Sequence, residues 1–274
     1  MILTDDQLNE YSHNGFFLIR DVFDADELQL MAAQASAEFA VEGPRRVMET
    51  NGRQVRAVHG SHLHSRFFAD LVRMPRLLDP VRQLLSGEAY VHQFKINAKK
   101  AFGGELWEWH QDFYFWEHED GMSEPRAVNV VIHLDAANEF NGPLMLIPGS
   151  HRETGISAEG NPVEPDGEVQ GWERTVSARL KYRIGSETLR KLVDTHGITS
   201  IKGTAGCILF FDPRVVHGSV GNMTPYDRSL LIISYNSTEN QLREVPHPRP
   251  EFLAGREYGA LKSLARDRLP GTGY

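Results

Sequence analysis

With 274 residues, 41% hydrophobic and 24% charged, the chain has the composition of a soluble globular protein able to bury a sizeable core. A formal charge of −8 without basic clusters excludes nucleic acid and an anionic membrane as main partners. No apolar run reaches the roughly 18 residues of a membrane span.

Met1–Gln7 lacks a basic stretch followed by an apolar one, so no secretory leader is expected. Thr4 reads as a helix N-cap, with Gln7 completing a capping box and Gly15 ending the helix. Phe16–Arg20 is a short apolar strand, and a second helix runs from Asp24 to about Phe39. Gly43–Gly52 is a polar loop, followed by a strand at Val55–Val58. His59, His62 and His64 lack an aromatic strand context and a nearby carboxylate, so they read as surface or locally hydrogen-bonded histidines. Helices follow at Ser65–Arg73 and Leu77–Leu85.

Ala89–Lys99 alternates. Val91, Gln93, Lys95, Asn97 and Lys99 fall on one face, and Tyr90, His92, Phe94, Ile96 and Ala98 on the other. The polar face is either solvent-facing or, as in a barrel holding a ligand, points inward while the apolar face packs under helices; the inward reading is preferred. A Gly103–Gly104 turn leads to the aromatic run Trp107–Trp116. Strands follow at Ala127–Asp135, where His133 reads as a hydrogen-bonded sheet histidine, and at Pro143–Ile147, after the Asn141–Gly142 turn. Arg152–Arg183 has little periodicity and reads as a candidate lid. A helix capped by Ser186 runs to His196, and strands resume at Ile198–Ile201, Gly206–Phe211, Val215–Val220 and Arg228–Asn236. Many short strands with turns argue for a sandwich or jelly roll. The tail from Pro246 is a wrapping segment with a short helix near Glu257–Asp267. The single cysteine, Cys207, sits in the apolar run to Phe211; it reads as a buried small hydrophobe in a reducing, cytoplasmic compartment.

The chemistry is concentrated at His110 and Asp112. Two residues apart on a strand, they would point to one side and could bind one ion. His217, in Phe210–Ser219, supplies the best third ligand, because two histidines and a carboxylate make the site of non-haem Fe(II) oxygenases. Arg228, opening a later strand, could grip a carboxylate.

Over nearly its whole length the chain resembles the phytanoyl-CoA dioxygenase family of Fe(II)- and 2-oxoglutarate-dependent oxygenases. Within that family it is most similar to ectoine hydroxylases and related free amino acid hydroxylases, through Trp109–Phe113, Glu119–Met122, Asn141–His151 and His217–Ser219. The resemblance implies a mainly β protein with flanking helices, a double-stranded β-helix of the jelly-roll, cupin-like type. The expected organisation is one domain over 1–274: a helical N-terminal region over 1–88, the β core 89–245 with a candidate lid at 152–183, and the wrapping segment 246–274. The resemblance also implies iron at His110, Asp112 and His217, and 2-oxoglutarate held by Arg228 with Ser219, Asn97 and Trp107 in support. O2 is the second cosubstrate, and succinate and CO2 accompany hydroxylation of a C–H bond. Related halogenases lack the carboxylate ligand; Asp112 is present, so hydroxylation is the expected outcome.

Ectoine hydroxylases hold their substrate with a Gln and an Arg on the strand before the metal strand, a Thr-Trp pair after His-x-Asp, and an Asn two residues beyond the 2-oxoglutarate Arg. Gln93 and Trp116 match that pattern, whereas Lys95, Phe115 and Leu230 replace the Arg, the Thr and the Asn. The expected substrate is therefore a small free L-amino acid or derivative, with ectoine, giving 5-hydroxyectoine, as the alternative. A non-catalytic cupin-like binder is a further alternative because fold does not fix function; the intact triad with Arg228 speaks against it. The protein is expected to act as a monomer or homodimer on a small molecule.

Overall fold

The computed structural model describes residues 1–156, 158–160 and 171–269. The chain starts with α1 (Asp5–Asn14), β1 (Phe16–Ile19) and α2 (Ala25–Ala40). Thr4 and Gln7 form the expected capping box on α1, Gly15 ends it at φ 84°, and Asp24 and Glu27 form a second box on α2. Next come β2 (Arg46–Met48), β3 (Val55–His59), α3 (Arg66–Leu71), α4 (Pro75–Leu85) and the long β4 (Ala89–Lys99). The core continues through β5 (Trp107–His110), α5 (Asp112–Phe115), β6 (Ala127–His133) and β7 (Leu144–Leu146). A two-stranded antiparallel sheet of β8 (Ala158–Gly160) and β9 (Tyr182–Ile184) precedes α6 (Ser186–His196). The last strands are β10 (Thr199–Ser200), β11 (Ile208–Phe211), β12 (His217–Ser219) and β13 (Arg228–Ser237).

Seven strands form an antiparallel sheet in the order β1-β11-β6-β13-β4-β3-β2, and four form a second in the order β10-β7-β12-β5. One face of the large sheet carries Val128, Val130, Ile132, Leu231 and Ile233, packed with Met31, Phe68, Leu77 and Val81 of the helices. Its other face carries Val131, Leu209, Phe211, Leu230 and Ile232, packed with Leu146 of the small sheet. This is the expected double-stranded β-helix with flanking helices, although the two sheets do not close into a barrel. No helix among the described residues is long and apolar enough to cross a membrane, and Cys207 is fully buried, as expected.

Five expectations need correction. Along β4 the alternation breaks at a bulge: Ser234 pairs with Gln93, but Tyr235 pairs with Val91, leaving His92 as the extra residue. Val91 therefore joins Phe94 and Ile96 under the helices instead of facing inward. The tail near Glu257–Asp267 is not helical. Its backbone is engaged elsewhere, with Gly255 and Leu261 donating to His92 O and Ala89 O of β4, at 2.7 and 2.9 Å. Gly185, not Ser186, occupies the N-cap of α6. His59 is buried rather than a surface or hydrogen-bonded histidine, and His133 is buried with Nδ1 unpartnered among the described residues. Of the candidate lid, residue 157 and residues 161–170 lie outside the described residues. Leu180 and Tyr182 pack against the cluster that holds Phe115 and Trp116.

Candidate active site

Only one of the two adjacent ligand candidates lies in a strand. β5 ends at His110, and Asp112 opens α5. They still share a side because Gln111 between them is extended (φ −117°, ψ 131°) and turns its own amide onto Arg214 O. His217, the first residue of β12, stands directly opposite His110 in register, and the two rings are 4.2 Å apart. Sheet pairing thus brings together residues more than a hundred positions apart.

Each histidine turns Nδ1 to a backbone carbonyl: His110 to Glu108 O at 2.6 Å, and His217 to Val215 O at 2.9 Å. A carbonyl can only accept, so Nδ1 carries the proton and Nε2 keeps its lone pair for a ligand. The two Nε2 atoms lie 3.7 Å from Asp112 Oδ1 and Oδ2 respectively, and one ligand atom from each residue falls within 4.8 Å of the others. Burial alone would raise the Asp112 carboxyl, but the Lys95 ammonium foremost, with the two histidines beside it, holds it well below the usual range. Burial, aided by His110, pushes His217 down to about 3, so this ligand is neutral at pH 7. Two imidazoles in that tautomer and one carboxylate fit iron.

Asn129 escapes the sequence reading. It projects from β6 and donates to Asp112 Oδ2 at 2.9 Å, while Ser234 Oγ donates to its Oδ1 at 2.6 Å. Such a chain orients a ligating carboxylate. The available signal was a lone amide inside the apolar run Ala127–Ile132.

Arg228 opens β13 and is 2% exposed. Its Nη2 donates to Gly142 O, and its Nε has no partner among the described residues. Burial lowers its pKa to about 9, against the pull of Asp135, so it remains charged at pH 7. Ser219 Oγ and Asn97 Oδ1 are likewise buried without partners among the described residues. Trp107 forms a wall, with the Arg56 guanidinium 3.7 Å above its ring. These unsatisfied polar atoms around a buried cation fit a dicarboxylate such as 2-oxoglutarate.

One pocket is lined by the triad, by Arg228, Ser219, Asn97 and Trp107, and by Lys95 and Leu230. Three expected substrate contacts are not on its surface. Gln93 donates to Leu253 O at 2.8 Å. Phe115 and Trp116 are packed with Met122, Ala127 and Leu180, and Phe115 meets the His110 ring edge-on at 6.0 Å.

A jelly roll carrying this triad, with a buried arginine across the same pocket, defines an Fe(II)- and 2-oxoglutarate-dependent dioxygenase. Residues 11–230 match the family model described as phytanoyl-CoA dioxygenase, and the chain belongs to that family. It is similar to an L-proline trans-4-hydroxylase of Streptomyces griseoviridis, with 36% identity over 94% of this chain and 95% of the relative. It is also similar to an ectoine dioxygenase of Streptomyces anulatus, with 35% identity over 93% of this chain and 86% of the relative. Among solved structures, EctD from S. alaskensis with 2-oxoglutarate and 5-hydroxyectoine superposes with a TM-score of 0.81 at 32% identity, over 96% of this chain and 87% of that one. The same enzyme with bound Fe gives 0.80 at 31%, with the same coverage.

Proposed function

We propose that this enzyme hydroxylates an unactivated C–H bond of a small free L-amino acid or amino acid derivative. The observation that carries this reading is Lys95. Its ammonium lines the pocket, and the carboxylate within 4.0 Å of it among the described residues is Asp112. When Asp112 ligates a metal ion, its charge is shared with the ion and Lys95 is left facing the pocket without a counter-charge. A substrate carboxylate supplies one, in a region too buried to leave an ammonium unpaired at no cost. Leu230 and Ile232 next to it give that substrate an apolar wall. The two named relatives act on L-proline and on ectoine, both small carboxylates, which supports the same class.

In this reading His110 Nε2, Asp112 and His217 Nε2 hold the iron, and Arg228 holds the distal carboxylate of 2-oxoglutarate, with Ser219, Asn97 and Trp107 beside it. Bound iron supplies oxidative chemistry in which 2-oxoglutarate, O2 and R–H become succinate, CO2 and R–OH. Asn129 and Ser234 fix the Asp112 carboxylate. The backbone carbonyls of Glu108 and Val215 keep the two imidazoles in the ligating tautomer. Leu230 in place of an asparagine makes the pocket less suited to ectoine than to an amino acid with an apolar side chain, and ectoine is the second reading. The buried, unpaired Cys207 supports a cytoplasmic setting.

The test is succinate formation by the Fe(II)-loaded protein on exposure to O2 and 2-oxoglutarate, with ectoine and a panel of free amino acids, each product weighed for one added oxygen. Coupled turnover with an amino acid is the expected result. Coupling to ectoine alone would replace the first reading by the second, and stimulation by neither would reject the substrate class.

A further inference from the structure

The inner face of the large sheet holds one more polar group that the reaction described above does not use. His59, the last residue of β3, pairs directly with Lys95 of β4, just as Ala57 pairs with Asn97. Directly opposed residues of antiparallel strands project to the same face, with Cβ atoms about 4.5–5.5 Å apart. Lys95 and Asn97 line the pocket; His59 projects to the same side of the sheet, next to Lys95, without being one of the pocket's lining residues. It is 1% exposed, and neither ring nitrogen has a hydrogen-bond partner among the described residues. A buried imidazole with both nitrogens unsatisfied is costly, and such orphans mark sites where a ligand completes the bonding.

The local backbone holds the ring in place. His59 N donates to Arg45 O at 2.9 Å, and Arg45 Nη1 donates to His59 O at 3.1 Å. The following residue, Gly60, has φ 66° and donates to Phe94 O at 2.8 Å. Phe252 packs so closely on it that a Cβ there would lie 2.6 Å from the Phe252 Cβ. The tail therefore covers the turn after His59. Burial first, then the charges of Lys95 and Arg249, push the imidazole well below its ordinary pKa, so it is neutral and offers one N–H donor and one acceptor. Arg249 is committed to Asp120, at 2.8 and 2.6 Å. Among the described residues, Lys95 is the cation beside His59 that remains for a substrate, Arg228 lying at the other end of the pocket.

We propose that His59 is a substrate-binding residue that forms, with Lys95, a subsite for the two polar groups of a free amino acid: Lys95 takes the carboxylate and His59 accepts a hydrogen bond from the amino nitrogen. This rests on the amino acid reading above. Lys95 pairs with Ile232, four residues along β13 from Arg228, so about 13 Å of strand separates this subsite from the 2-oxoglutarate end and the two carboxylates do not compete.

The test uses anaerobic calorimetry of the Fe(II)- and 2-oxoglutarate-loaded protein with two probes, L-proline and cyclopentanecarboxylate, which has the same ring without the nitrogen. The wild type is expected to prefer L-proline. His59→Phe keeps a ring and removes both nitrogens; it should raise the L-proline Kd by about 10- to 100-fold. The cyclopentanecarboxylate Kd and the 2-oxoglutarate Kd should stay unchanged, and His59→Gln should recover some of the loss. An L-proline Kd in the Phe variant within about twofold of wild type would overturn the role of His59. So would an equal loss of 2-oxoglutarate binding, which would mark His59 as structural. Failure of the wild type to bind L-proline or any amino acid of the panel would instead remove the amino acid reading, and this subsite with it.

Discussion

The two ends of the pocket are assembled differently. At the end proposed for the metal and 2-oxoglutarate the groups come from strand termini paired in register, His110 against His217 and Arg228 against Lys99, with short sequence motifs around them. At the end proposed for the substrate they come from β3 and from the middle of β4 and β13, with the tail alongside, where Leu253 O accepts from Gln93. Binding iron and a fixed cosubstrate calls for one geometry, which a few residues at a strand end can encode. Selecting a substrate depends on which distant segments are brought alongside, and that can change while the metal end stays constant.

The largest effect expected is from His110→Ala, which removes one of the three side chains grouped to hold a metal ion among the described residues. Turnover should be lost, together with 2-oxoglutarate-dependent succinate formation in the absence of substrate. Retained succinate production would break the assignment of the metal end outright.

A paired experiment tests whether the two ends are separable. Arg228→Ala removes a charge-assisted anchor and should raise the KM for 2-oxoglutarate by about 100-fold, with the amino acid Kd unaffected. Lys95→Met should do the reverse, weakening the amino acid by about 10-fold and sparing 2-oxoglutarate. Steady-state titration of each component against both variants checks this. If both variants shift both ligands equally, the pocket is one cooperative unit rather than two ends.

The same division explains what is legible in the sequence. The triad, Arg228, the helix caps at Thr4 and Asp24 and most strands can be read there, because alternation, capping boxes and a His-x-Asp spacing are local signals. Asp112 lies in a helix rather than a strand without losing its aim, since one extended residue preserves the side. Gln93, Phe115 and Trp116 point to the substrate by analogy, but the tail engages Gln93 and the segment around Leu180 packs over the two aromatics. Neither interaction has a local signature. The bulge at His92 is of the same kind, because it depends on how many residues β13 sets against β4. His59 lacks a neighbouring carboxylate in sequence; its neighbour in space is Lys95, supplied by strand pairing.

The smallest expected effect concerns Lys99, which lies opposite Arg228 behind the cosubstrate end and is 2% exposed, with Nζ donating to Glu105 O at 2.6 Å. Burial first, then the charges of Arg228 and Arg56, lower its pKa from 10.5 to about 6. Between those values the unfolded chain holds a proton that the folded chain has released. Stability from this group therefore rises with pH across that window, and near neutrality the fold bears the cost of a discharged lysine. Lys99→Met removes the titration while keeping the aliphatic stem against Gly104 and Gly142. The unfolding midpoint should rise by roughly 2 to 4 °C at pH 7, and the gain should shrink toward pH 10, where the unfolded lysine is itself losing its proton. A gain of equal size at both pH values would mean that Lys99 stays charged in the fold. The cosubstrate end would then hold two buried cations, and its preference for a dianion would rest on Lys99 as much as on Arg228.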